Sequence, residues 1–476
     1  MSHVRYDFEN ASRLEVANKQ LRSNLRHVLT GLMLKRAAQF PDPVEEDALR
    51  SRGEAIRQRA LAQLPDLLEQ FEKNLTANGI RVHWAQDGEE ARNIILEILK
   101  RKGAKTMIKG KSMASEEIHL NKFLGEHGIE AIESDLGEYI LQIAGETPSH
   151  IVMPALHKNI NEIGTLFEEK IKGQPYSENA DELTAAARRV LRQRFLRADV
   201  GFSGVNFGVA ETGSLVLISN EGNGRMSTHT PDTHIALMGV EKVIERFDEV
   251  GTLAQLACRS ATGQPITTYL NVISGPRRAG EKDGPEEVHL VLMDNGRTQI
   301  YQDEQMQDSL RCIRCAACMN HCPVYTRVGG HAFVHTYPGP IGEVLNPQML
   351  GIDIAGDAVE GCTLCGRCAE VCPVKIPLPD LILRLRRESI RPTPNFVIRG
   401  AGSRSSTVAD MVWGGWKVVF STPALLHLSN WMLRKVGNFL PKWAPGMRQW
   451  TLAREKPRFA SKSIHELARE KGLIDD

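Results

Sequence analysis

Eight of the nine cysteines fall into two runs with the same spacing. The first run reads C-I-R-C-A-A-C-M-N-H-C-P at residues 312–323, and the second reads C-T-L-C-G-R-C-A-E-V-C-P at residues 362–373. Each fits C-x2-C-x2-C-x3-C-P, the bacterial arrangement of thiolates that bind [4Fe–4S] clusters. The spacing therefore predicts two [4Fe–4S] clusters.

In this arrangement the fourth cysteine of each run ligates the cluster of the other run. The predicted ligands are Cys312, Cys315, Cys318 and Cys372 for the first cluster, and Cys322, Cys362, Cys365 and Cys368 for the second. Equivalent cysteines lie 50 residues apart, as in 362 − 312 and 372 − 322, so the region is an internal repeat. Pro323 and Pro373 prevent a helix from continuing through the fourth ligand.

Zinc is an alternative, although structural zinc sites usually use pairs of C-x2-C. Disulfides are a second alternative, and crowded thiols in a reducing compartment favour a metal instead.

Two lysines beside a predicted helix start are candidates for binding an anion. The segment K-G-K-S-M-A-S-E-E at residues 109–117 ends a strand and opens a helix, so Lys109 and Lys111 lie near the helix N-terminus. Helix capping by Ser112 or Ser115 explains the same pattern without a ligand. The segment lacks the G-x4-G-K-[ST] spacing of a phosphate-binding loop.

A second candidate pair flanks a predicted strand. Glu211 precedes S-L-V-L-I-S, where it could act as a base, and Arg225 follows the next turn, where it could clamp a carboxylate. Turn glycines and a surface arginine explain this pattern equally well. We interpret E-S-D-L-G-E-Y-I at residues 133–140 as a solvated acidic loop, and Cys258 as a small buried residue.

The elements that position these residues alternate between strands and helices. Apolar segments predict strands at 80–85, 106–110, 129–134, 150–156, 214–219, 233–240, 269–274 and 288–294. Helical periodicity predicts helices at 89–102 and 115–127, and a helical lead-in before residue 79 that breaks at P-D-P. The fold class is α/β with a mostly parallel sheet. We expect a lead-in at 1–78, an α/β domain at 79–300, a two-cluster module at 301–385 and a basic C-terminal region at 386–476.

The charge of the chain is uneven. Residues 381–476 contain 17 Lys and Arg against 7 Asp and Glu, a balance of +10 within a net charge of +1. Five of the six tryptophans lie in this region among basic residues, a pattern that suits a partner protein, a membrane surface or the core of a small helical domain. The N-terminus lacks a secretory signal and no segment is apolar enough to span a membrane. We expect a cytoplasmic protein whose only membrane contact, if any, is peripheral at the inner face, and we find no nucleic-acid-binding motif.

Several of these motifs, in this order, resemble one family. The segments K-G-K-S-M-A-S-E-E, E-S-D-L-G-E-Y-I, A-E-T-G-S-L-V-L-I-S-N-E-G-N-G-R and T-H-I-A-L-M-G precede the two cysteine runs, which have G-P-I-G between them. Together they resemble the lactate-utilisation iron–sulfur subunit (LutB/YkgF type) over nearly the whole chain. The resemblance implies an α/β domain of the LUD type, akin to the sugar-isomerase and CoA-transferase superfamily, joined to a helical ferredoxin-type module. It also implies an electron carrier in a three-protein complex that oxidises L-lactate to pyruvate.

The leading functional hypothesis is an electron-transfer subunit that is not itself the catalyst. It receives electrons from a partner that oxidises a 2-hydroxy acid and passes them to a quinone or a protein acceptor. A second hypothesis is that the α/β domain binds and oxidises the acid through Lys111, Glu211 or Arg225, although the sequence has no evident flavin or nicotinamide fingerprint. A third is a redox-sensing or interaction protein.

Overall fold

The computed structural model describes residues 7–333, 335–394, 398–444, 447–451 and 454–474. The described chain divides into two compact units, Met1–Ser403 and Arg404–Asp476. The first unit contains the α/β domain and both cysteine runs, and the second contains the tryptophan-rich helices.

The lead-in consists of the helices α1 Phe8–Ala17, α2 Lys19–Gln39, α3 Pro43–Ala62 and α4 Leu64–Ala77. The side chains of Asp7, Asn18 and Asp42 accept backbone N–H groups at the first three helix starts, as capping residues do. The break at P-D-P separates α2 from α3 as predicted, because Pro43 can begin a helix but cannot continue one. Leucines of α2 and the apolar face of α4 are buried in the main core, so these helices pack on the domains that follow.

The α/β domain is built on a six-stranded sheet of order β1-β10-β7-β4-β2-β3 in which every described pairing is parallel. Its strands are β1 Arg81–Ala85, β2 Thr106–Lys109, β3 Glu130–Glu133, β4 Val200–Gly204, β7 Thr233–Gly239 and β10 Glu287–Met293. The associated helices are α5 Gly88–Arg101, α6 Met113–Glu117, α7 Leu120–Glu126, α8 Leu136–Ala144, α9 Ile160–Lys170, α10 Ala180–Phe195, α11 Asn223–His229, α12 Glu249–Ala261 and α13 Arg297–Tyr301. The predicted α/β class with a mostly parallel sheet is confirmed.

A second sheet of order β8-β5-β6-β9 packs in the same core. Its strands are β5 Phe207–Val209, β6 Ser214–Ser219, β8 Val243–Ile244 and β9 Tyr269–Ile273. The β5–β6 and β6–β9 pairings are antiparallel, whereas β5 pairs with β8 in parallel. Because β8 closely follows β7, this sheet lies beside the carboxyl end of the main sheet.

The predicted strand at 150–156 is wrong, because this segment forms turns. The His150 Nδ1 atom accepts the backbone N–H groups of Val152 and Met153, at 3.1 and 3.0 Å. Its Nε2–H group lies 3.0 Å from the Asn320 amide oxygen, and burial lowers the pKa of His150 to about 4, so the ring is neutral. A buried imidazole that satisfies local backbone donors holds the apolar residues in a turn.

The cysteine-rich region is mostly short helices in the first unit: α14 Ala317–Asn320, α15 Tyr325–Val328, α16 Gly339–Leu350, α17 Ile352–Ala355, α18 Asp357–Glu360, α19 Arg367–Glu370 and α20 Leu378–Ile390. Helix α14 and helix α19 occupy equivalent positions of the repeat, 50 residues apart. The repeat in sequence is therefore also a repeat in backbone structure.

The second unit contains α21 Thr407–Ser421, α22 Pro423–Val436, α23 Met447–Thr451 and α24 Ile464–Glu470. Neither α21 nor α22 has a buried residue. The exposed fraction is 65% for Trp413, 51% for Trp416, 52% for Trp431 and 77% for Trp443. The alternative that these tryptophans form a domain core is therefore wrong, and the side chain of Trp450 lies outside the described residues. In the part of the chain that is described, every helix is too short or too polar to cross a membrane.

Candidate iron–sulfur site and adjoining cavity

Both cysteine runs follow the same unusual backbone path. Arg314 and Ala316 in the first run have φ angles of 59° and 64°, and Leu364 and Gly366, their equivalents in the second run, have 54° and 81°. A left-handed conformation costs a non-glycine residue roughly 1–2 kcal/mol, so it persists only where the surroundings require it. The shared conformation turns each loop back on its cysteines.

Backbone N–H groups in both runs donate to cysteine sulfur atoms. The bonds are Arg314 N to Cys312 Sγ at 3.4 Å, Leu364 N to Cys362 Sγ at 3.3 Å, Tyr325 N to Cys322 Sγ at 3.4 Å and Ile376 N to Cys372 Sγ at 3.3 Å. A hydrogen bond to a sulfur favours its thiolate form, which is the form that binds metal. The same donor position, two residues after the first cysteine, serves both runs.

The thiols fall into groups that combine the two runs. Burial, with contributions from the charges of Cys372 and Cys312, raises the pKa of Cys315 to about 12. Burial also raises the pKa of Cys372 to about 11, with a contribution from Cys312. In the other group, burial raises the pKa of Cys322 to about 12, with a contribution from Cys362. Each fourth cysteine therefore has at least one thiol of the opposite run among its electrostatic neighbours.

The two groups are neighbours. Burial raises the pKa of Cys318, and the thiols that add to the rise include Cys368 of the other group as well as Cys312 and Cys315. Thiols with such raised pKa values are protonated at neutral pH unless a metal displaces the proton. Two runs with the C-x2-C-x2-C-x3-C-P spacing supply eight thiols, the number and type of donors that two [4Fe–4S] clusters require, so the chemistry of these residues fits this cofactor.

Arginine side chains hold the cysteine loops from outside. Arg50 of α3 donates to the carbonyl of Cys372 at 2.9 Å and to that of Ala369 at 3.1 Å. Arg386 of α20 donates to the carbonyl of Cys362 at 2.5 Å. A cluster with four thiolate ligands carries net negative charge, and nearby guanidinium groups stabilise that charge while fixing the loops.

A buried ionic network joins the α/β domain to the first cysteine run. Arg297 binds both carboxylate oxygens of Glu117 at 2.9 Å, and its Nε lies 2.5 Å from Glu241. Arg314 lies 3.4 Å from the same Glu241 and stacks on the Tyr337 ring at 4.7 Å. Burial opposes ionisation of Glu241, but Arg297 and Arg314 lower its pKa to about 2. The network therefore fixes the position of Arg314 between Cys312 and Cys315.

A cavity of about 310 Å³ opens between the α/β domain and the first cysteine run. The carboxyl ends of β2, β4 and β7 face it, together with β6 and α12. Ligands of open parallel sheets bind at this edge of the sheet. Ile313, Arg314 and Cys315 form part of its wall. The cavity thus adjoins a predicted cluster ligand directly.

The four candidate anion or substrate contacts occupy different places. Lys111 lines the cavity, 2.8 Å from a Glu138 carboxylate oxygen. Lys109 lies behind it, bonded to Glu133 at 2.6 Å and to Glu116 at 3.1 Å. Glu211 accepts the backbone N–H of Phe247 at 2.9 Å, and the Arg225 side chain is exposed. Neither Glu211 nor Arg225 lines the cavity, so the structure does not bring the proposed base and clamp together there.

The interpretation of residues 133–140 as a solvated loop is wrong. Glu133 and Glu138 are 3% and 7% exposed, and each forms an ion pair, Glu133 with Lys109 at the end of β2 and Glu138 with Lys111 in the loop that follows. Cys258, in contrast, is buried in α12 as predicted.

The cavity is also lined by residues that the sequence alone did not identify as site candidates. The titratable ones are Asp135, Glu221, Glu241, Lys242, Arg297, Arg314 and Tyr337. Asp135 and Glu221 lie inside motifs that the sequence analysis quoted, and Arg314 lies inside the first cysteine run. Position along the chain was the available signal, because Asp135, Glu221 and Lys242 follow the strands β3, β6 and β7, and Arg314 lies between two cysteines. Nothing in the sequence alone showed that these segments meet.

Comparison with known families divides the chain into three matched parts. A LUD domain model matches residues 68–293, a 4Fe-4S dicluster domain model matches residues 308–376, and a model described as lactate utilisation protein B, C-terminal, matches residues 384–473. The first covers the α/β domain and the second covers both cysteine runs.

Curated relatives match most of the chain. Lactate utilization protein B of Bacillus licheniformis is 44% identical over 415 residues, which cover 86% of this chain and 85% of the relative. The corresponding protein of Bacillus subtilis is 43% identical, covering 83% and 78%. The uncharacterized electron transport protein YkgF of Escherichia coli is 39% identical, covering 96% and 95%. With this identity over nearly the full length, and with [4Fe–4S] cysteine runs in place, the chain belongs to the lactate utilization protein B family.

Proposed function

We propose that this chain is an electron-transfer subunit that binds two [4Fe–4S] clusters through crossed ligands. The proposed sets are Cys312, Cys315, Cys318 with Cys372, and Cys362, Cys365, Cys368 with Cys322. The observation that carries the proposal is the repeated C-x2-C-x2-C-x3-C-P spacing within the segment that matches a 4Fe-4S dicluster domain. The matched backbone of the two loops supports the same assignment.

The proximity of the two groups supports a relay. Helices α14 and α19, which carry Cys318 and Cys368, pack against each other, so the clusters would lie close to one another. When bound, [4Fe–4S] clusters accept and release single electrons. The protein's own contribution is to bury the thiols, donate N–H groups to them and surround them with Arg50, Arg314 and Arg386.

The names of the relatives indicate the substrate class of the proposed complex. Relatives over most of the chain are named for lactate utilization, and one is named for electron transport. We infer that this chain serves a complex that oxidises L-lactate, or a similar 2-hydroxy acid, to pyruvate. Partner subunits oxidise the acid, and electrons leave toward a quinone or a protein acceptor.

The C-terminal unit is the surface that we propose for contact with a partner subunit or, peripherally, with the inner face of a membrane. Its exposed tryptophans alternate with Lys417, Arg434, Lys435 and Lys442. Tryptophan beside basic side chains suits both protein interfaces and lipid headgroups. Helix α21 supports this role because no residue of it is buried.

The test uses anaerobic full-length protein with and without its partner subunits. Reduced clusters give an EPR signal, and dithionite should produce that signal in the chain alone. We expect L-lactate to produce it only when partners are present, because this chain relays electrons and does not oxidise the acid. Reduction by lactate in the purified chain alone would contradict the subunit role.

A further inference from the structure

The cavity between the α/β domain and the first cysteine run has no role in a simple electron relay. It lies at the carboxyl edge of β2, β4 and β7 and is closed on one side by residues of the Cys312–Cys315 loop. Its volume of about 310 Å³ is at the lower end of the range for small-molecule sites. A well-formed cavity at this edge is where a parallel sheet binds ligands.

The side of the cavity near the cysteines carries two basic side chains, Lys242 and Arg314. Burial, together with the charge of Arg314, lowers the pKa of Lys242 to about 7, so its ammonium form lacks a compensating negative charge there. Lys242 lines it, and among the described residues its ammonium group has neither a hydrogen-bond nor an ion-pair partner. The nearest carboxylate on this side, Glu241, is already bound by Arg297 and Arg314. The Arg314 side chain is 10% exposed and its Nη1 has no hydrogen-bond partner. A cation in a cavity without a partner is costly, and an anionic ligand would satisfy it.

Another part of the cavity carries groups that can exchange a proton with a ligand. Asp135 accepts a bond from Asn223 at 3.1 Å, and Glu221 accepts the backbone N–H of Leu136 at 3.1 Å. The loops after β3 and β6 bring these two carboxylates together at the cavity wall. A carboxylic acid group here can donate a hydrogen bond to a hydroxyl or carbonyl oxygen.

We infer that the cavity binds a small 2-hydroxy or 2-oxo acid, with its carboxylate at Lys242 and Arg314 and its 2-oxygen toward Asp135 and Glu221. The identity of the acid rests on the proposed function, whereas the anion-binding side rests on Lys242 and Arg314. The cavity has room for a three-carbon acid and accompanying water. Binding of substrate or product beside Cys315 would let this subunit sense the state of the reaction that its partners perform.

Lys242 also lies near Cys312, so its charge could serve only to balance a cluster. The two roles predict different results. A balancing charge changes the reduction potential and leaves ligand affinity alone, whereas an anion-binding residue changes affinity.

The experiment titrates [¹³C]pyruvate and L-lactate into anaerobic full-length protein, with binding followed by NMR and cluster content followed by iron and sulfide analysis. Three proteins are compared: the unaltered chain, Lys242→Gln, and Lys122→Gln as a control on the exposed side of α7. Propionate, which lacks the 2-oxygen, serves as the control ligand. Glu221→Gln, at the exposed mouth of the cavity, provides a second variant that leaves the core intact.

We expect the unaltered chain and Lys122→Gln to bind at least one of the two acids, and Lys242→Gln to bind it at least about tenfold more weakly. Propionate should bind more weakly than the acid that binds. Equal affinity in Lys242→Gln with a shifted reduction potential would overturn the inference in favour of charge balance. No binding up to about 10 mM by protein with full iron content would also overturn it, while leaving the electron-transfer proposal intact. Protein without iron would contradict that proposal instead.

Discussion

Glu221 is one of two described cavity residues whose protonation changes near neutral pH, and the other is Lys242, whose pKa is lowered to about 7 by burial and by Arg314. Loss of a proton from either residue lowers the affinity of the cavity for an anion. Partial burial raises the pKa of Glu221, and the adjacent Asp135 raises it further, to about 7, while Lys111 and the Leu136 N–H act in the opposite direction. As the pH rises through 7, Glu221 loses a proton and the cavity becomes more negative. The affinity for pyruvate should therefore fall between pH 6 and 8, as measured by NMR titration (an expected change of severalfold).

The variant Glu221→Gln stays neutral throughout this range, so it should bind pyruvate with a weaker dependence on pH. Glu211→Gln is the matched control, because Glu211 lies outside the cavity lining and accepts only a backbone N–H among its described contacts. An unchanged pH profile in Glu221→Gln would show that Glu221 does not control binding.

Among individual residues, the candidate cluster ligands were the easiest to predict from the sequence, because the spacing of their cysteines repeats. The cysteine runs could be recognised because ligand chemistry fixes their spacing, whatever surrounds them. Lys242 and Arg314 could not be chosen, because their role depends on two distant segments meeting at one cavity. The burial of Glu133 could likewise not be predicted from the sequence, because its ion-pair partner, Lys109, lies 24 residues away along the chain.

At the scale of elements, Arg57 joins α3 to two other segments. Its buried guanidinium donates to the carbonyls of Val243 at 3.0 Å, Leu310 at 3.0 Å and Arg311 at 3.3 Å, and also contacts that of Glu241. These carbonyls belong to β8 and the residues just before it, and to the chain just before Cys312. One side chain therefore fixes the lead-in, the second sheet and the first cysteine run.

Replacing Arg57 with Met should destabilise the protein by about 3 kcal/mol, because several buried carbonyls lose their donor. Denaturant unfolding of the anaerobic protein measures this change. Arg52→Met on the exposed face of the same helix should change the free energy of unfolding by less than about 0.5 kcal/mol. Equal effects of the two substitutions would refute the role of Arg57.

Elements were predictable where local pattern and tertiary structure agree. Alternating apolar segments located β1, β2, β3, β6, β7, β9 and β10 within one or two residues. Strand β4 was missed because its sequence, V-G-F-S-G, contains two glycines, which weaken a strand signal. Gly201 is needed there because a side chain would collide with the backbone of Ser227. At residues 150–156, in contrast, an apolar pattern predicted a strand that does not form. The His150 side chain accepts local backbone N–H groups and holds the segment in turns.

At the scale of the whole molecule, the described core residues lie between Phe8 and Ile398, within the first unit. All eight predicted ligands also lie there. A chain ending at Ser403 should therefore retain about eight irons and a melting temperature within a few degrees of the full chain. Iron analysis and thermal unfolding under anaerobic conditions test this expectation.

The same truncation should abolish association with partner subunits or anionic vesicles if the exposed tryptophans of α21 and α22 form the contact surface. The double substitution Trp413→Ala and Trp416→Ala should weaken association without loss of iron, because both side chains are exposed. Loss of iron on truncation would mean that the C-terminal unit is needed for the cluster module. The boundaries of the four expected domains remain predictions.

The crossed ligation of two clusters is tested most directly by paired cysteine substitutions. If Cys318 and Cys372 serve one cluster, replacing both with Ala should remove that cluster alone and leave about four irons per chain. Replacing Cys368 and Cys372 should remove a ligand from each cluster and leave almost no iron, whereas Cys258→Ala should keep about eight. The reverse pattern, with four irons retained in the Cys368 and Cys372 pair and none in the Cys318 and Cys372 pair, would contradict the account.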